Sequence, residues 1–270
     1  MMTTTADEPV DLILLAKALR LPAVAQHCEP LAQTATHDGW SVRRYLHALL
    51  SEELASRDNR RIARLLHEAR LPTGKSLASF DFSAVPKLNK RTCQALADNG
   101  SWVEQGHNLI LFGPSGTGKT HLATAIMHAH ILRGRSAKHY RTTDLVQELQ
   151  AASAEHRLPA ALKRLDRYQI LCLDDIGYVK RDRDETAVLF ECIAHRYERG
   201  SVIVTSNHPF SAWDGIFPDP SMTVAVVDRL VHHATILELN TDSYRRKSAA
   251  KKRNVNVNDD AQTTLNTELP

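Results

Sequence analysis

The stretch Asn108–Thr120, NLILFGPSGTGKT, joins a short apolar run to a glycine-rich loop that ends in lysine and threonine. The run Asn108–Phe112 is typical of a buried strand, and HLATAIMHA after the loop is typical of a helix. A strand, a G-x-x-x-x-G-K-T loop and a helix, in this order, are what a phosphate-binding loop requires. The stretch therefore predicts the start of an α/β nucleotide-binding domain.

The residues of this loop suit the triphosphate of ATP. Glycines at positions 113, 116 and 118 let the backbone turn so that its N–H groups face the phosphates, and the helix dipole adds a favourable field. We expect Lys119 to reach the β- and γ-phosphates and the Thr120 hydroxyl to bind Mg²⁺. The predicted nucleotide-binding residues of the loop are Gly113, Pro114, Ser115, Gly116, Thr117, Gly118, Lys119, Thr120 and His121.

Two adjacent acids, Asp174 and Asp175, follow the apolar run Ile170–Leu173. They should lie at the carboxyl edge of a parallel sheet, where such sheets bind ligands. We expect Asp174 to hold Mg²⁺ and Asp175 to polarise the attacking water of ATP hydrolysis. The alternative for Asp175 is that it only caps the following turn.

A third polar position ends the run Val202–Thr205. We expect Asn207, or Ser206 in its place, to hold the attacking water near the γ-phosphate. Asn is common in turns at strand ends, so this signal is weak when taken alone.

Short apolar runs alternate with helical segments from about residue 108, which predicts a parallel sheet between two layers of helices. One helix should start at Thr142 or Thr143 as its cap, and another at Pro159. The predicted strands are 108–112, 137–141, 170–173, 201–205 and 235–239. The fold class is therefore α/β, a P-loop NTPase core with a five-stranded parallel sheet, preceded by an all-helical module.

The helical module is basic on one side. An amphipathic helix is predicted around residues 12–19, Pro22 and Pro30 should break the next stretch, and Ser41 should cap a long helix that runs toward Arg70. Arginines fill this long helix, and a second basic run, YRRKSAAKKR, stands near the end of the chain. Both suit a polyanion such as DNA, although a solvated helix face and a solubilising tail are the alternative.

Composition excludes several classes of protein. No apolar run approaches the roughly 20 residues that span a bilayer, and the N-terminus lacks the pattern of a secretory signal, so we expect a soluble cytoplasmic protein with no membrane partner. The four cysteines are scattered, which favours reduced, packing cysteines. Fourteen histidines are present without zinc-site spacing. We expect the adjacent pair His232 and His233 to point to different sides of a helix and not to chelate together.

The ordered set GPSGTGKTHLA, LDDIGY, VTSNHPFSAW and DRLVHHATILEL followed by SYR closely resembles the IstB-type transposition helper ATPases. These belong with DnaC-like helicase loaders in the DnaA-related branch of AAA+ proteins. The resemblance covers the chain from about Leu12 to Arg246. The ATPase motifs are generic to AAA+ proteins. The segments more specific to the helper group are RYERGSVIVTSN and DRLVHHA.

This resemblance implies an ATP-dependent homo-oligomer that binds and remodels double-stranded DNA and works with a partner transposase of the same insertion element. It implies that Arg229 is an arginine finger for a neighbouring subunit, with an intramolecular salt bridge as the alternative, and that Arg245 is a second nucleotide sensor. The module would grip DNA through Arg57, Arg60, Arg61 and Arg64.

The chain is expected to have three parts. These are a helical DNA-binding and assembly module at residues 1–75, an AAA+ ATPase domain at 76–250 and a disordered polar tail at 251–270. Two residues depart from the family's pattern. Asp175 stands where many relatives have Glu, and Thr241 stands where the family usually has glycine.

Three other functions stay open at this stage. A helicase loader would prefer single-stranded DNA and a helicase partner. A small-molecule P-loop kinase lacks support, because no arginine-rich lid segment follows the core. A nucleotide switch without hydrolysis is disfavoured by the paired acids and Asn207.

Overall fold

The computed structural model describes residues 11–177, 183–217, 219–241 and 243–244. The chain divides into two compact units, residues 1–64 and residues 65–270. The predicted nucleotide sensor Arg245, the second basic run and the predicted tail all lie outside the described residues. The predicted domain boundaries at residues 75 and 250 stay predictions.

The first unit is built from helices. Asp11 caps α1 (Leu12–Ala18), Pro22 is the first residue of α2 (Pro22–His37), and the unit ends within α3 (Val42–Ala69). A small core joins these helices through Ala16, Val24, Cys28 and Leu49. The Ser41 hydroxyl accepts a hydrogen bond from the N–H of Arg44 at the start of α3, which agrees with the predicted cap.

One expectation for this unit was wrong. Pro30 does not break the chain into two helices, because α2 continues through it. Proline removes one N–H donor of a helix, and α2 bears this cost while its apolar side packs into the core. Helix α1 buries Ala16 but leaves Leu12, Leu15 and Leu19 at least 44% exposed. The periodicity of α1 therefore predicted the helix but not which side chains it buries.

The second unit contains the predicted five-stranded parallel sheet. Its strands are β1 (Asn108–Phe112), β2 (Ala137–Arg141), β3 (Ile170–Asp174), β4 (Ser201–Ser206) and β5 (Ala234–Glu238). Their order is β2-β3-β4-β1-β5, and every pair is parallel. All carboxyl ends therefore meet at one edge, and β4 lies between the strand before the loop and the strand that carries Asp174.

Helices cover both faces of the sheet because successive side chains of its buried strands point to opposite faces. Leu109, Leu111 and Cys172 contribute to the core with the helices between residues 90 and 132, whereas Ile110, Leu171 and Leu173 contribute to the core with the helices between residues 142 and 231. The helices are α4 (Lys90–Asp98), α5 (Ser101–Glu104), α6 (Lys119–Leu132), α7 (Thr142–Ala154), α8 (Leu158–Leu165), α9 (Arg183–Arg196) and α10 (Pro220–Val231). Short 3-10 helices occupy Phe82–Ala84 and Phe210–Gly215.

Two further observations complete the fold. All four cysteines are buried and free, as the sequence predicted. Within the described ranges, no helix is both long and apolar enough to cross a membrane.

Candidate functional site

The loop between β1 and α6 has a backbone that only glycine tolerates at two points. Gly113 has φ 146°, and a Cβ atom there would lie 2.2 Å from the carbonyl oxygen of Leu239. Gly118 has φ 101° and would bring a Cβ within 2.9 Å of the Phe80 ring. Both contacts are too short for a side chain, so the glycines fix the path of the loop. The loop then leads directly into the first turn of α6.

Lys119 folds beneath this loop. Its ammonium donates hydrogen bonds to the carbonyl oxygens of Gly113 and Pro114, at 2.7 and 2.8 Å. The Lys119 residue is only 8% exposed, so its charge is held against the loop and not in bulk water. A charge in this place is suited to an anion lying in the loop.

Asp174, the last residue of β3, contacts three neighbouring side chains. Its Oδ1 atom accepts hydrogen bonds from the Thr120 hydroxyl at 2.8 Å and from the Thr205 hydroxyl at 2.6 Å. The Nε2 atom of His139 lies 3.6 Å from Asp174 Oδ2. Neither Thr142 nor Thr143 caps α7 as expected, because the helix begins at Thr142 and Arg141 is its N-cap residue. The Thr142 hydroxyl donates instead to the Asp174 carbonyl oxygen.

These contacts keep the Asp174 carboxyl ionised. Burial alone raises its pKa, because removal from water disfavours the charged form. The His139 imidazole and the hydroxyls of Thr205 and Thr120 outweigh burial, so the pKa lies below its usual value. A carboxylate beside the Thr120 hydroxyl is the oxygen set that Mg²⁺ prefers in nucleotide sites, so the residues present fit that ion.

Asp175 projects toward the same cavity from a strained backbone position. It has φ 63°, and its N–H donates to the Thr205 hydroxyl at 2.8 Å. A non-glycine residue in this left-handed region is uncommon and is held there by its surroundings. Asp175 lines the cavity, whereas Asp174 is tied to Thr120 and Thr205. The two adjacent acids therefore have different environments.

Asn207 lines the same cavity as the loop residues Ser115 to Thr120. Its Oδ1 atom is buried and has no hydrogen-bond partner within the described ranges. Ser206, the fallback residue, exchanges hydrogen bonds with the backbone of His208 through its hydroxyl. Asn207 is therefore the residue of the two that is available to a ligand in the cavity.

The cavity, of about 460 Å³, lies between the loop and the segment 75–85. Its volume is in the usual range for small-molecule sites. His121 ties segment 75–85 to α6, since its Nε2 atom lies 3.0 Å from the Ser76 carbonyl oxygen and 3.2 Å from the Ser79 hydroxyl. The residues that line it are Lys75, Ser79, Phe80, Asp81, Ala84, Val85, Ser115, Gly116, Thr117, Gly118, Lys119, Thr120, His121, Asp175, Thr205, Asn207, Thr241 and Tyr244.

The residues after β5 close this cavity from the other side. The Thr241 hydroxyl donates to the Ala84 carbonyl oxygen at 2.8 Å. The N–H of Tyr244 donates to the Gly116 carbonyl oxygen at 3.0 Å. Thr241, noted as a departure from the family's glycine, thus makes a side-chain bond that glycine cannot make.

Arg229 does not line the cavity. Its guanidinium donates to the Ala225 carbonyl oxygen at 2.8 Å and lies 5.2 Å from the centre of the Phe190 ring. Among the residues that the structure describes, no carboxylate lies within ion-pair distance of Arg229. The alternative of an intramolecular salt bridge therefore finds no partner in that part of the chain.

In the first unit, the predicted DNA-binding arginines lie at i, i+3, i+4 and i+7 of α3, on one helix face. Arg57 and Arg60 also have an internal role. Glu53 is buried and accepts hydrogen bonds from the N–H groups of Ala23 and Val24 at the start of α2. Arg57 and Arg60 contact the same carboxylate at 2.9 and 3.5 Å.

His232 and His233, which follow α10, are not arranged as the sequence predicted. Helix α10 ends at Val231, and the carbonyl oxygen of His233 accepts a hydrogen bond from the N–H of Asn108 at the start of β1. The chain thus leaves the helix between the two histidines, and their ring centres lie 4.0 Å apart. The expectation that they point to different sides of a helix was wrong.

Thr205, His139 and the closing contact of Thr241 were not recognised as site residues in the sequence. Threonine inside an apolar strand usually packs as a β-branched residue, so the hydroxyl of Thr205 gave no signal of its own. Only the pairing of β3 with β4 could have indicated that this hydroxyl meets the two acids.

The chain matches the family described as IstB-like ATP binding protein over residues 14–252. It is 52% identical over 231 residues to a protein of Sinorhizobium fredii (strain NBRC 101917 / NGR234) named as an insertion sequence ATP-binding protein, covering 86% of this chain and 78% of that protein. It is 35% identical over 241 residues to the protein of Pseudomonas aeruginosa named as the ATP-binding protein of insertion sequence IS21, covering 89% of this chain and 91% of that protein.

Among solved structures, DnaA from Aquifex aeolicus bound to AMPPCP superposes with a TM-score of 0.53 at 20% identity, covering 68% of this chain and 55% of that chain. This likeness supports the fold alone, which agrees with the parallel sheet and the loop described above. The family match covers most of the chain and includes every described residue of the cavity. The chain therefore belongs to the IstB-like ATP-binding proteins and is an ATPase with the AAA+ fold.

Proposed function

We propose that this ATPase assembles on double-stranded DNA in an ATP-dependent manner and assists a partner transposase of the same insertion element. The observation that carries the proposal is the cavity that Asp175 and Asn207 line together with the phosphate-binding loop, in a chain of the IstB-like family. The insertion-sequence names of its relatives support the link to transposition.

In this proposal each residue at the cavity has one task in hydrolysis. Lys119 neutralises the β- and γ-phosphates, and Thr120 and Asp174 hold Mg²⁺, which shields the charge of the phosphates. Asp175 accepts the proton of the attacking water. Asn207 orients that water through its buried amide.

A neighbouring subunit completes the site in the same proposal. Arg229 lies outside the cavity of its own subunit, as a residue that acts across an interface should. Its guanidinium would stabilise the charge of the transition state on a nucleotide held by the next subunit. Assembly and hydrolysis are thereby coupled.

DNA would contact the arginine face of α3. Arg61 and Arg64 are exposed, whereas Arg57 and Arg60 also pair with the buried Glu53. Neutralising all four arginines would disturb the first unit as well as remove positive charge. The test of DNA binding therefore uses Arg61 and Arg64, because replacing them leaves the contacts of Arg57 and Arg60 with Glu53 in place.

The first experiment measures binding to fluorescent duplex and single-stranded DNA of equal length, with and without ATP·Mg²⁺. We expect cooperative, ATP-dependent binding to duplex, and loss of the ATP dependence in the Lys119→Ala variant. A clear preference for single strands would favour a helicase loader, and absence of DNA binding in every nucleotide state would refute the proposal.

The second experiment locates the DNA surface. The double variant Arg61→Gln/Arg64→Gln should weaken duplex binding and reduce the slope of log K against log salt by roughly 2, about 0.9 for each lost phosphate contact. Arg91→Gln/Arg164→Gln, which removes two exposed arginines of α4 and α8, is the control of equal charge. Equal slopes in the two double variants would place the DNA surface elsewhere.

A further inference from the structure

A cluster of three metal-ligating side chains lies far from the nucleotide cavity. Glu198, His232 and His233 each offer one ligand atom, and these atoms lie within 4.8 Å of one another. The cluster is at the edge where β1, β4 and β5 begin, whereas the cavity is at the edge where they end. Strands of five or six residues separate the two edges by roughly 16–20 Å.

The backbone on both sides of the cluster is held rigidly. Asn108 bonds to both the end of α10 and the start of β4. Its side-chain N–H donates to the Leu230 carbonyl oxygen at 3.0 Å, and its side-chain oxygen accepts from the N–H of Val202 at 2.9 Å. The end of α10 and the start of β4 are thereby tied to one side chain. Metal sites need such fixed supports, because loosely held ligands lose affinity to conformational entropy.

A buried arginine fixes the turn that carries Glu198. Arg196 is 2% exposed and donates to the carbonyl oxygens of Tyr168 and Ser201, at 2.8 and 3.2 Å. Glu198 itself has φ 59°, so the backbone of the turn is left-handed at this residue, shortly before β4. The carboxylate is exposed on this anchored turn and stands beside the two histidines.

Neighbouring side chains orient the two imidazoles. The Tyr197 hydroxyl oxygen lies 2.8 Å from His232 Nδ1. When Nδ1 carries the ring proton and donates it to this oxygen, the Nε2 lone pair can bind an ion. The His107 ring stacks on His233 with centres 4.9 Å apart and an angle of 15°. A hydrogen bond from the second ring nitrogen of a metal-binding histidine sets the ring orientation and raises ligand basicity. The stack on His107 restricts the rotation of the His233 ring.

We propose that Glu198, His232 and His233 bind one divalent transition-metal ion of the Zn²⁺ class. Two ligand atoms on a tetrahedral zinc ion are roughly 3.4 Å apart, given bonds of about 2.0–2.2 Å, so small side-chain rotations close the observed spacing. Two imidazoles and one carboxylate select such an ion over Mg²⁺, which prefers oxygen ligands. The ion joins the α9–β4 turn to the end of α10, the helix that carries Arg229.

The test titrates the full-length, metal-free chain, purified without a histidine tag, with ZnCl₂ alone. Nucleotide is left out because ATP chelates Zn²⁺. We expect one equivalent to bind and to raise the thermal midpoint, and excess Mg²⁺ not to displace it. Glu198→Gln, His232→Ala and His233→Ala should each weaken binding at least tenfold, and Tyr197→Phe about tenfold.

His195→Ala is the matched control, because His195 forms another histidine–carboxylate pair on α9, with Asp166 at 3.0 Å. Binding in that variant should equal binding in the wild type. Because Glu198 is exposed, Glu198→Gln should keep the metal-free thermal midpoint, so its weaker binding would not reflect unfolding. X-ray absorption at the zinc edge should show nitrogen and oxygen ligands only.

Three results would overturn the site. The first is no stoichiometric binding by the wild-type chain. The second is unchanged affinity in the double variant His232→Ala/His233→Ala. The third is sulfur ligation, which would place the ion on a cysteine.

Discussion

The hydroxyl of Thr205 donates a 2.6 Å hydrogen bond to the carboxylate of Asp174. The Thr205 hydroxyl oxygen also accepts a 2.8 Å hydrogen bond from the N–H of Asp175. One hydroxyl on β4 therefore fixes both the proposed Mg²⁺ ligand and the left-handed backbone that aims the proposed base into the cavity. This hydroxyl links the two acids to β4, the strand that leads to Asn207.

Replacing Thr205 by valine should slow ATP hydrolysis by tenfold or more while the fold is kept. Valine has the same shape and cannot make either bond, and a hydrogen bond to a charged group contributes about 1.5–3 kcal/mol. ATP affinity should change less than turnover, because the loop is intact. Steady-state hydrolysis and binding of a fluorescent nucleotide measure the two effects separately.

Thr205→Ser is the matched control, since serine keeps the hydroxyl and should retain most of the turnover. If Thr205→Val hydrolysed ATP at the wild-type rate, the hydroxyl would have no part in placing the acids. Equal loss in the valine and serine variants would point to packing of the methyl group instead.

Replacing Thr241 by valine should speed nucleotide release about two- to tenfold. The lost bond to the Ala84 carbonyl oxygen is a neutral hydrogen bond, with a contribution of about 0.5–1.5 kcal/mol. Without it the segment after β5 no longer holds segment 75–85 against the cavity. Stopped-flow displacement of a fluorescent ATP analogue measures the rate, and Thr241→Ser should release nucleotide at the wild-type rate.

The free energy of unfolding should decrease at acidic pH because His130 is buried. This residue is fully buried, its Nε2 atom lies 2.9 Å from the Leu96 carbonyl oxygen, and burial lowers its pKa below 6.5. The unfolded chain therefore binds the proton more readily than the folded chain. The free energy of unfolding should decline as pH drops below 6.5, by at most about 1.4 kcal/mol per pH unit, until the folded pKa is passed.

Chemical unfolding between about pH 8 and 5 measures this decline. The His130→Gln variant keeps a donor for the Leu96 carbonyl oxygen and cannot titrate, so its stability should depend less on pH. An identical pH dependence in the two proteins would assign the effect to other groups.

The strands of the ATPase unit could be predicted to within one residue at each end. Their apolar runs are short and bounded by glycine or polar residues, and the loop pattern fixed which run comes first. Burial in the helical unit could not be predicted in the same way. Pro30 remains inside α2 and the leucines of α1 remain exposed, because tertiary packing and not local pattern decides those positions.

The candidate site was predictable where its residues belong to local motifs. Lys119, Asp175 and Asn207 all line one cavity, although each comes from a different segment. Thr205 and the contact of Thr241 with Ala84 could not be predicted, because each acts through a partner 30 or more residues away. The histidine pair was misjudged because the helix was expected to continue past Val231.

Replacing Arg229 by alanine should leave ATP binding intact and abolish hydrolysis that depends on assembly. The guanidinium is absent from the cavity of its own subunit, so the loop and Asp174 keep their contacts. Loss of an arginine finger can reduce turnover by about 10³-fold. ATPase rate as a function of protein concentration measures the effect, and Arg164→Ala is the control.

Mixing two inactive variants decides whether Arg229 acts across subunits. In an equal mixture of Arg229→Ala and Asp175→Asn, about a quarter of head-to-tail interfaces pair an intact acid on one subunit with an intact arginine on the next. These interfaces should hydrolyse ATP, although neither variant does so alone. If the mixture stayed inactive while both variants still assembled, Arg229 would act within its own subunit or through its contact with Phe190.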